Sequence, residues 1–208
     1  GFSSSNYLQQ PYSSNLNFGT GDFSVMGWIN PATQAAHHGI VNRMDSGGGA
    51  GFLLEHRIGG TLLLQTDDGT TVSNLFSNSV SLNTWTQFCC TVTNSGTSLQ
   101  WFINGDSVAT ATVTARNVTN TAAVCRIGEK VTESRPMDGS LALIRISATA
   151  PTAEQIKKMY NDEKHLFQTN AKATLYGSSD AVTALAYDDD TELLHVGTSA
   201  GRSEFQGL

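Results

Sequence analysis

Charge is scarce in this chain: only 14% of its 208 residues are Asp, Glu, Lys or Arg. So low a fraction excludes a charged disordered tail or a coiled coil, and the abundant Gly, Ser, Thr and Asn suit a β-protein with many polar turns. Positive charge is scarcer still, with 12 Lys and Arg against 18 Asp and Glu and a formal net charge of −6. Phosphate binding needs clustered cations and these are scattered, so nucleic acid is not the expected partner and an anionic membrane is disfavoured. No apolar run approaches the ~20 residues that span a bilayer, and the N-terminus does not read as a signal peptide. The chain opens on Gly1 rather than Met, in strand-forming sequence, as expected of a fragment or a processed product.

Cysteine is limited to Cys89, Cys90 and Cys125. Three thiols cannot all pair within one chain, and two adjacent Cys with one distant Cys lack the spacing of a structural zinc site. Cys90 shares a strand face with Phe88 and Val92, which makes it a small buried apolar residue; a Cys90–Cys125 disulfide is the alternative. The set fits a product folded in reducing cytosol.

What is present is organised around Trp85 to Asp106. Phe88, Cys90 and Val92 share one face of an extended segment and Leu99, Trp101 and Ile103 share one face of the next, with Asn94-Ser-Gly96 as turn chemistry between them. Asn104-Gly105 supplies the pair of positive φ angles that a type I′ turn requires, so a third strand over about 107–114 should fold straight back. Upstream, short strands are expected over 2–8 and 16–18, then a central strand with apolar residues on both faces from Phe23 to Pro31. Further strands are expected over 40–44, 52–57, 61–66 and 71–76. Downstream, strands fall over 122–127 and 141–147, the last apolar at Leu141, Leu143, Ile144 and Ile146. Thr152 and Gln155 form a capping box, and Ile156, Met159, Tyr160 and Phe167 share one helical face. Residues 168–173 read as a polar linker, and 182–188 with 192–198 as a hairpin. A lone hairpin is marginal in water, so this tail needs something to pack on.

A Trp opening a strand, a short turn and an apolar strand ending in aromatic-Ile-Asn-Gly resemble the laminin-G-like branch of the concanavalin A-like lectin/glucanase fold. Phe23-Ser-Val-Met-Gly-Trp-Ile-Asn-Pro31, Gly39-Ile-Val-Asn-Arg43, Cys125-Arg-Ile-Gly128 and Asp138-Gly-Ser-Leu-Ala-Leu-Ile-Arg-Ile146 continue the pattern in order. The fold class this implies is all-β: a two-sheet antiparallel jelly-roll sandwich over 1–167, closed by a helix at 152–166, with a β-hairpin tail at 168–208. The tail phrase from Ala181 to Tyr187 with Leu193 to Thr198 is similar to one blade-like repeat. Together with the sandwich it resembles modules of tailed-bacteriophage structural proteins, which implies a homotrimeric tail fibre or virion surface decoration.

A hydrolase of this superfamily would resemble the β-glucanases, with paired carboxylates alternating along one strand. None of the seven glutamates has that spacing; Glu129 and Glu133 come nearest, four apart in a loop. Nor is there a nucleophile elbow or a His-Glu-x-x-His helix, so no enzyme is expected. His37-His38 lack a nearby acidic partner for a metal. The resemblance makes calcium at the sandwich rim the possible cofactor, with Asp45, Asp67, Asp68 and Asp138 as turn carboxylates. Sugar binding would use exposed aromatics, and Tyr12, Trp28 and Phe102 are the candidates, each also open to core packing. Two functions follow: a non-catalytic lectin-like attachment module of a virion or extracellular fibre that binds a glycan or host receptor, or a purely architectural domain that assembles with further copies or other virion proteins.

Overall fold

A computed structural model of the chain describes residues 2–3, 5–44, 49–131, 133–168, 172–174 and 182–206. Its strands are β1 (Leu8–Gln10), β2 (Phe23–Pro31), β3 (His38–Arg43), β4 (Gly51–His56), β5 (Thr61–Asp67), β6 (Val72–Ser79), β7 (Thr86–Thr93), β8 (Ser98–Ile103), β9 (Asp106–Thr112), β10 (Cys125–Ile127) and β11 (Gly139–Ser147). Helix α1 (Ala153–Glu163) follows, then β12 (Lys172–Thr174), β13 (Val182–Asp188), β14 (Leu193–Thr198) and β15 (Gly201–Gln206). Two compact units result, Gly1–Tyr160 and Asn161–Leu208, with the division inside α1.

The first unit is a sandwich of two antiparallel sheets, in the strand orders β1-β10-β3-β4-β5-β6 and β11-β2-β7-β8-β9. Alternation along the strands fills the space between them: Val41, Leu54 and Leu64 of one sheet meet Val25, Cys90, Val92, Leu99 and Trp101 of the other. Trp101 is wholly buried, and its indole N–H donates to the Leu75 carbonyl at 3.0 Å, tying β8 to β6 across the core. The three cysteines are free and buried. Burial pushes the Cys125 thiol up to about 11 and the Cys89 thiol up to about 12.

The expected meander is β7-β8-β9. Asn104 and Gly105 have φ of 52° and 80°, as a type I′ turn requires. The turn also seats the helix. A Cβ on Gly105 would stand 3.0 Å from Lys157 Cα and 3.1 Å from Tyr160 Cβ. Lys157 Nζ reaches both Asp106 carboxylate oxygens at 2.8 Å. The capping box forms reciprocally, with Thr152 N–H donating to Gln155 Oε1 at 2.9 Å and Gln155 N–H to Thr152 Oγ1 at 3.3 Å. The helix buries Ile156, with Met159 beside it, on Met26, Cys89 and Phe102, which covers the outer face of the five-stranded sheet.

Several elements differ from their sequence expectation. The arm before β2 forms β1 and a 3-10 turn over Ser14–Leu16 in place of strands at 2–8 and 16–18. Its polar composition leaves it only the edge of a sheet, against β10. The apolar residues of β11 change parity because a bulge lies between Ala142 and Arg145. Leu143 turns out at φ 49°, and Ile144 packs on the core where Gly27 has no side chain. The tail holds more than a hairpin: β13 and β14 are joined by β15 and β12 in a four-stranded sheet, order β12-β15-β14-β13. No described helix is long and apolar enough to cross a membrane.

Candidate functional site

One face of the six-stranded sheet looks away from the core. Registers place Gln9, Arg126, Asn42, Leu53, Gln65 and Asn74 opposite one another in a row that crosses all six strands. The next row is Gly39, Glu55, Leu63 and Phe76. Because side chains alternate, both rows project from this outer face. Arg126 Nε donates to Gln9 Oε1 at 2.9 Å, and its guanidinium lies 4.1 Å from the Tyr7 ring centre. Phe76, on the edge strand β6, is 47% exposed. Gln65 and Asn74 hold the adjacent row positions. An apolar ring flanked by amides presents a stacking face together with paired donors and acceptors, the set that a sugar's C–H face and hydroxyls require.

Beside this platform sits a nest of charge. Glu55 is fully buried, and its carboxylate accepts from Arg57 at 2.5 Å and Arg135 at 3.0 Å, with the Lys130 ammonium at 3.5 Å. Glu133 pairs with Lys130 at 2.7 Å and with Arg135. A hydrogen bond from the Lys130 ammonium, first among its causes, holds the Glu133 carboxyl below its ordinary range. The nest fastens the segment after β10 onto the sheet, along with backbone bonds Gly39 N–H to Arg135 O at 2.8 Å and Gly128 N–H to Ile40 O at 3.0 Å. Gly39 permits this approach, since a Cβ there would be 2.5 Å from Lys130 N. Only Glu55 is buried in this nest; its partners keep part of their surface in solvent, which screens the pairs.

The carboxylates proposed for calcium divide between the two ends of the sandwich. Asp67 and Asp68 close β5 beside Gly51, whereas Asp138 precedes Gly139, which pairs with Pro31 at the end where His38 and His56 lie opposite each other. A seven-residue β5 separates those ends by roughly 20 Å. Asp68 Oδ1 already accepts from Thr70 Oγ1, Thr70 N–H and Thr71 N–H at 2.7–2.9 Å, with Arg116 3.4 Å from Oδ2. These bonds, the Thr70 hydroxyl foremost, draw its carboxyl down to about 2. Asp67 accepts from Gly69 N–H at 2.7 Å. Asp67, Asp68 and Asp138 therefore do not form one calcium site, and Asp45 lies outside the described residues. No group of three or more potential metal ligands gathers among the described residues.

Two of the three aromatic candidates are corrected. Trp28 is 2% exposed beneath α1, its ring stacked 5.9 Å from Tyr160, and Phe102 is 3% exposed under Ile156. Both lie on a sheet face that the helix covers, so neither offers a ring to a sugar. Tyr12 remains 42% exposed on the arm before β2, where its hydroxyl accepts from Asn17 Nδ2 at 3.0 Å. Phe76 was not among the candidates. The signal for it is the alternation Val72, Asn74, Phe76, Asn78 along one strand, an aromatic spaced with amides on the face that does not reach the core.

Such a sandwich of two antiparallel sheets, with a helix on one outer face, defines a jelly roll. The chain belongs to the concanavalin A-like lectin/glucanases superfamily: residues 2–157 match its laminin G type 3 domain. No curated protein matches it. Among solved structures it is similar to the binding domain of Paraclostridial Mosquitocidal Protein 1, at 16% identity and a TM-score of 0.60 over 94% of this chain and 54% of that one. It is similar to the heptameric SAP-like pentraxin of Limulus polyphemus, at 16% identity and a TM-score of 0.54 over 67% of this chain and 69% of that one. A third likeness is to a botulinum neurotoxin type C structure described by its interaction with two ganglioside molecules. There the identity is 15% and the TM-score 0.54, over 86% of this chain and 46% of that one. The chain thus spans about half the length of the toxin domains it matches. At these identities the likeness is one of fold.

Proposed function

We propose that this chain is a non-catalytic, lectin-like recognition module that binds carbohydrate on the outer face of its six-stranded sheet. Phe76 carries the reading: a large ring 47% exposed on a sheet face, with Gln65 and Asn74 beside it, is the arrangement that stacks a pyranose and holds its hydroxyls. The family assignment supports it, as does the ganglioside interaction named for one structural neighbour. The outer-face carboxylates Glu55 and Glu133 are both tied to Arg135, an arrangement that fixes a loop rather than one that flanks a scissile bond. The setting we assign is the surface of a virion or another extracellular fibre, as in tailed bacteriophages, with residues 1–167 as the recognition part and 168–208 as an assembly tail. Host attachment would then be multivalent, through a trimer of chains.

The test is a glycan array probed with the intact chain, with and without calcium, and repeated with Phe76→Ala. Binding to a defined glycan group that Phe76→Ala abolishes is the expected result, and binding only in calcium would assign a metal to the ligand contact. Failure of the intact chain to bind any glycan would reject the reading.

A purely architectural role has one observation in its favour. The edge strand β13 exposes Val182, Leu185 and Tyr187 by 60%, 66% and 61% and bears no charge before Asp188. Such an uncharged edge pairs readily with the same strand of a second copy: in an antiparallel register centred on Leu185, Ala184 meets Ala186 and Thr183 meets Tyr187.

A further inference from the structure

The four-stranded sheet of the second unit sorts its side chains between two unlike faces. Registers set Leu185, Val196 and Ser203 in one row across β13, β14 and β15, and Tyr187, Leu194 and Phe205 in the next. Side chains two apart on a strand share a side, so both rows project from one face. Asp188, His195, Arg202 and Glu204 are the acidic and basic residues of these three strands, and all four fall on the other face. There they answer one another in part: Glu204 Oε1 lies 2.6 Å from Arg202 Nη2 and 3.6 Å from His195 Nδ1. The first face carries no charge, and its β13 side stands open. Leu185 and Tyr187 are 66% and 61% exposed, and Val182, which pairs with Thr198 on the same face, is 60% exposed.

A sheet with one apolar face is stable when a second layer covers that face. Three strands of about six residues give it an area of roughly 14 by 20 Å, or about 300 Å², a size at which apolar patches are often functional. The cover must be as flat and as free of charge as the face itself. Among the described residues, the other exposed apolar side chains Leu8, Ile58, Leu82, Leu143 and Leu166 each stand on a different element or loop, and Val72 and Phe76 alternate with amides. A surface that matches in both respects is the same face on another copy, with the charges of both copies turned outward.

We propose that this apolar face is the assembly surface of the tail and packs against the same face of further copies of this chain. The proposal rests on the reading of 168–208 as an assembly tail and names its surface: in a trimer, the three faces meet around the axis. Each copy contributes about 300 Å², less than the ~800 Å² per partner of a stable interface, so association is reversible and rises with concentration. It therefore strengthens where glycan binding has already gathered chains on one surface.

The test is sedimentation equilibrium of the intact chain from about 10 μM to about 1 mM, repeated with Tyr187→Lys, Tyr187→Ser and Ala186→Lys. Tyr187 and Ala186 are exposed neighbours on the edge strand, so neither replacement threatens the fold, and the two lysines differ in the face they occupy. The parent should associate as concentration rises, Tyr187→Lys should weaken that association about tenfold or more, and Tyr187→Ser should weaken it less. Ala186→Lys, on the charged face, should associate as the parent does. Three results each overturn the proposal: the parent stays monomeric throughout; Tyr187→Lys associates as the parent does; or Ala186→Lys dissolves the assembly as fully as Tyr187→Lys. The last would move the contact to strand pairing at the β13 edge, which keeps the assembly tail and removes this face. A dimer in place of a trimer, dissolved by Tyr187→Lys alone, keeps the face and corrects only the number of copies.

Discussion

Acid should loosen this sandwich through one side chain. His56 is fully buried, faces inward from β4, stacks 5.9 Å from His38 and has no hydrogen-bond partner on either ring nitrogen. Burial first, then the neighbouring His38 and His37, lower its pKa from 6.5 to about 4. The unfolded chain therefore binds a proton near pH 6.5 that the folded chain refuses until about pH 4, so stability is full above 6.5 and falls as the pH drops through that window. The whole loss is roughly 3 kcal/mol, of which about 2 kcal/mol falls between pH 7 and pH 5, before most carboxylates titrate. Urea unfolding at half-unit pH steps measures it, read against His56→Phe, which keeps a ring for His38 to stack on and cannot titrate. The parent should lose about 2 kcal/mol over that interval relative to the variant. Parallel pH profiles for the two proteins would refute the assignment of a buried neutral imidazole.

Two further perturbations test the packing on either side of the chain's division. Gly105→Ala forces a side chain onto a φ of 80° and into the backbone of α1. The expected loss is about 2–4 kcal/mol in urea unfolding, and one below about 0.5 kcal/mol would show that the helix does not sit on the turn. Leu185→Lys places a charge in the middle of the exposed β13 edge. If the tail assembles copies, light scattering should find a multimer in the parent and a smaller species in the variant, and a monomer in both would end the assembly role.

The parts of the fold that are legible in the sequence are those where local chemistry and burial agree. Asn104-Gly105 demands one turn type, and alternation in 86–103 turns Phe88, Cys90, Val92, Leu99 and Trp101 to the core, so the meander and the capping box emerge as read. The β11 bulge is not part of that reading: the apolar residues at 141, 143, 144 and 146 fit no single strand face, but only Gly27 opposite explains which side gives way. The site was less legible because exposure is a tertiary property. Trp28 and Phe102 look like sugar platforms until α1 covers their sheet face, whereas Phe76 becomes a candidate only because β6 is an edge and its outer side is left open. The charge nest around Glu55 joins residues 80 apart in sequence, Glu55 and Arg135, which no local pattern connects.

The central claim is that the outer face of the six-stranded sheet binds sugar through Phe76. Isothermal titration of the best glycan from the array against the parent chain and Phe76→Ala tests it most directly, with unfolding curves to show that both proteins are equally folded. The account predicts saturable binding to the parent and a loss of about 1–3 kcal/mol, roughly tenfold or more in affinity, in the variant. Equal affinity of the two proteins for that glycan would place recognition elsewhere and contradict the account.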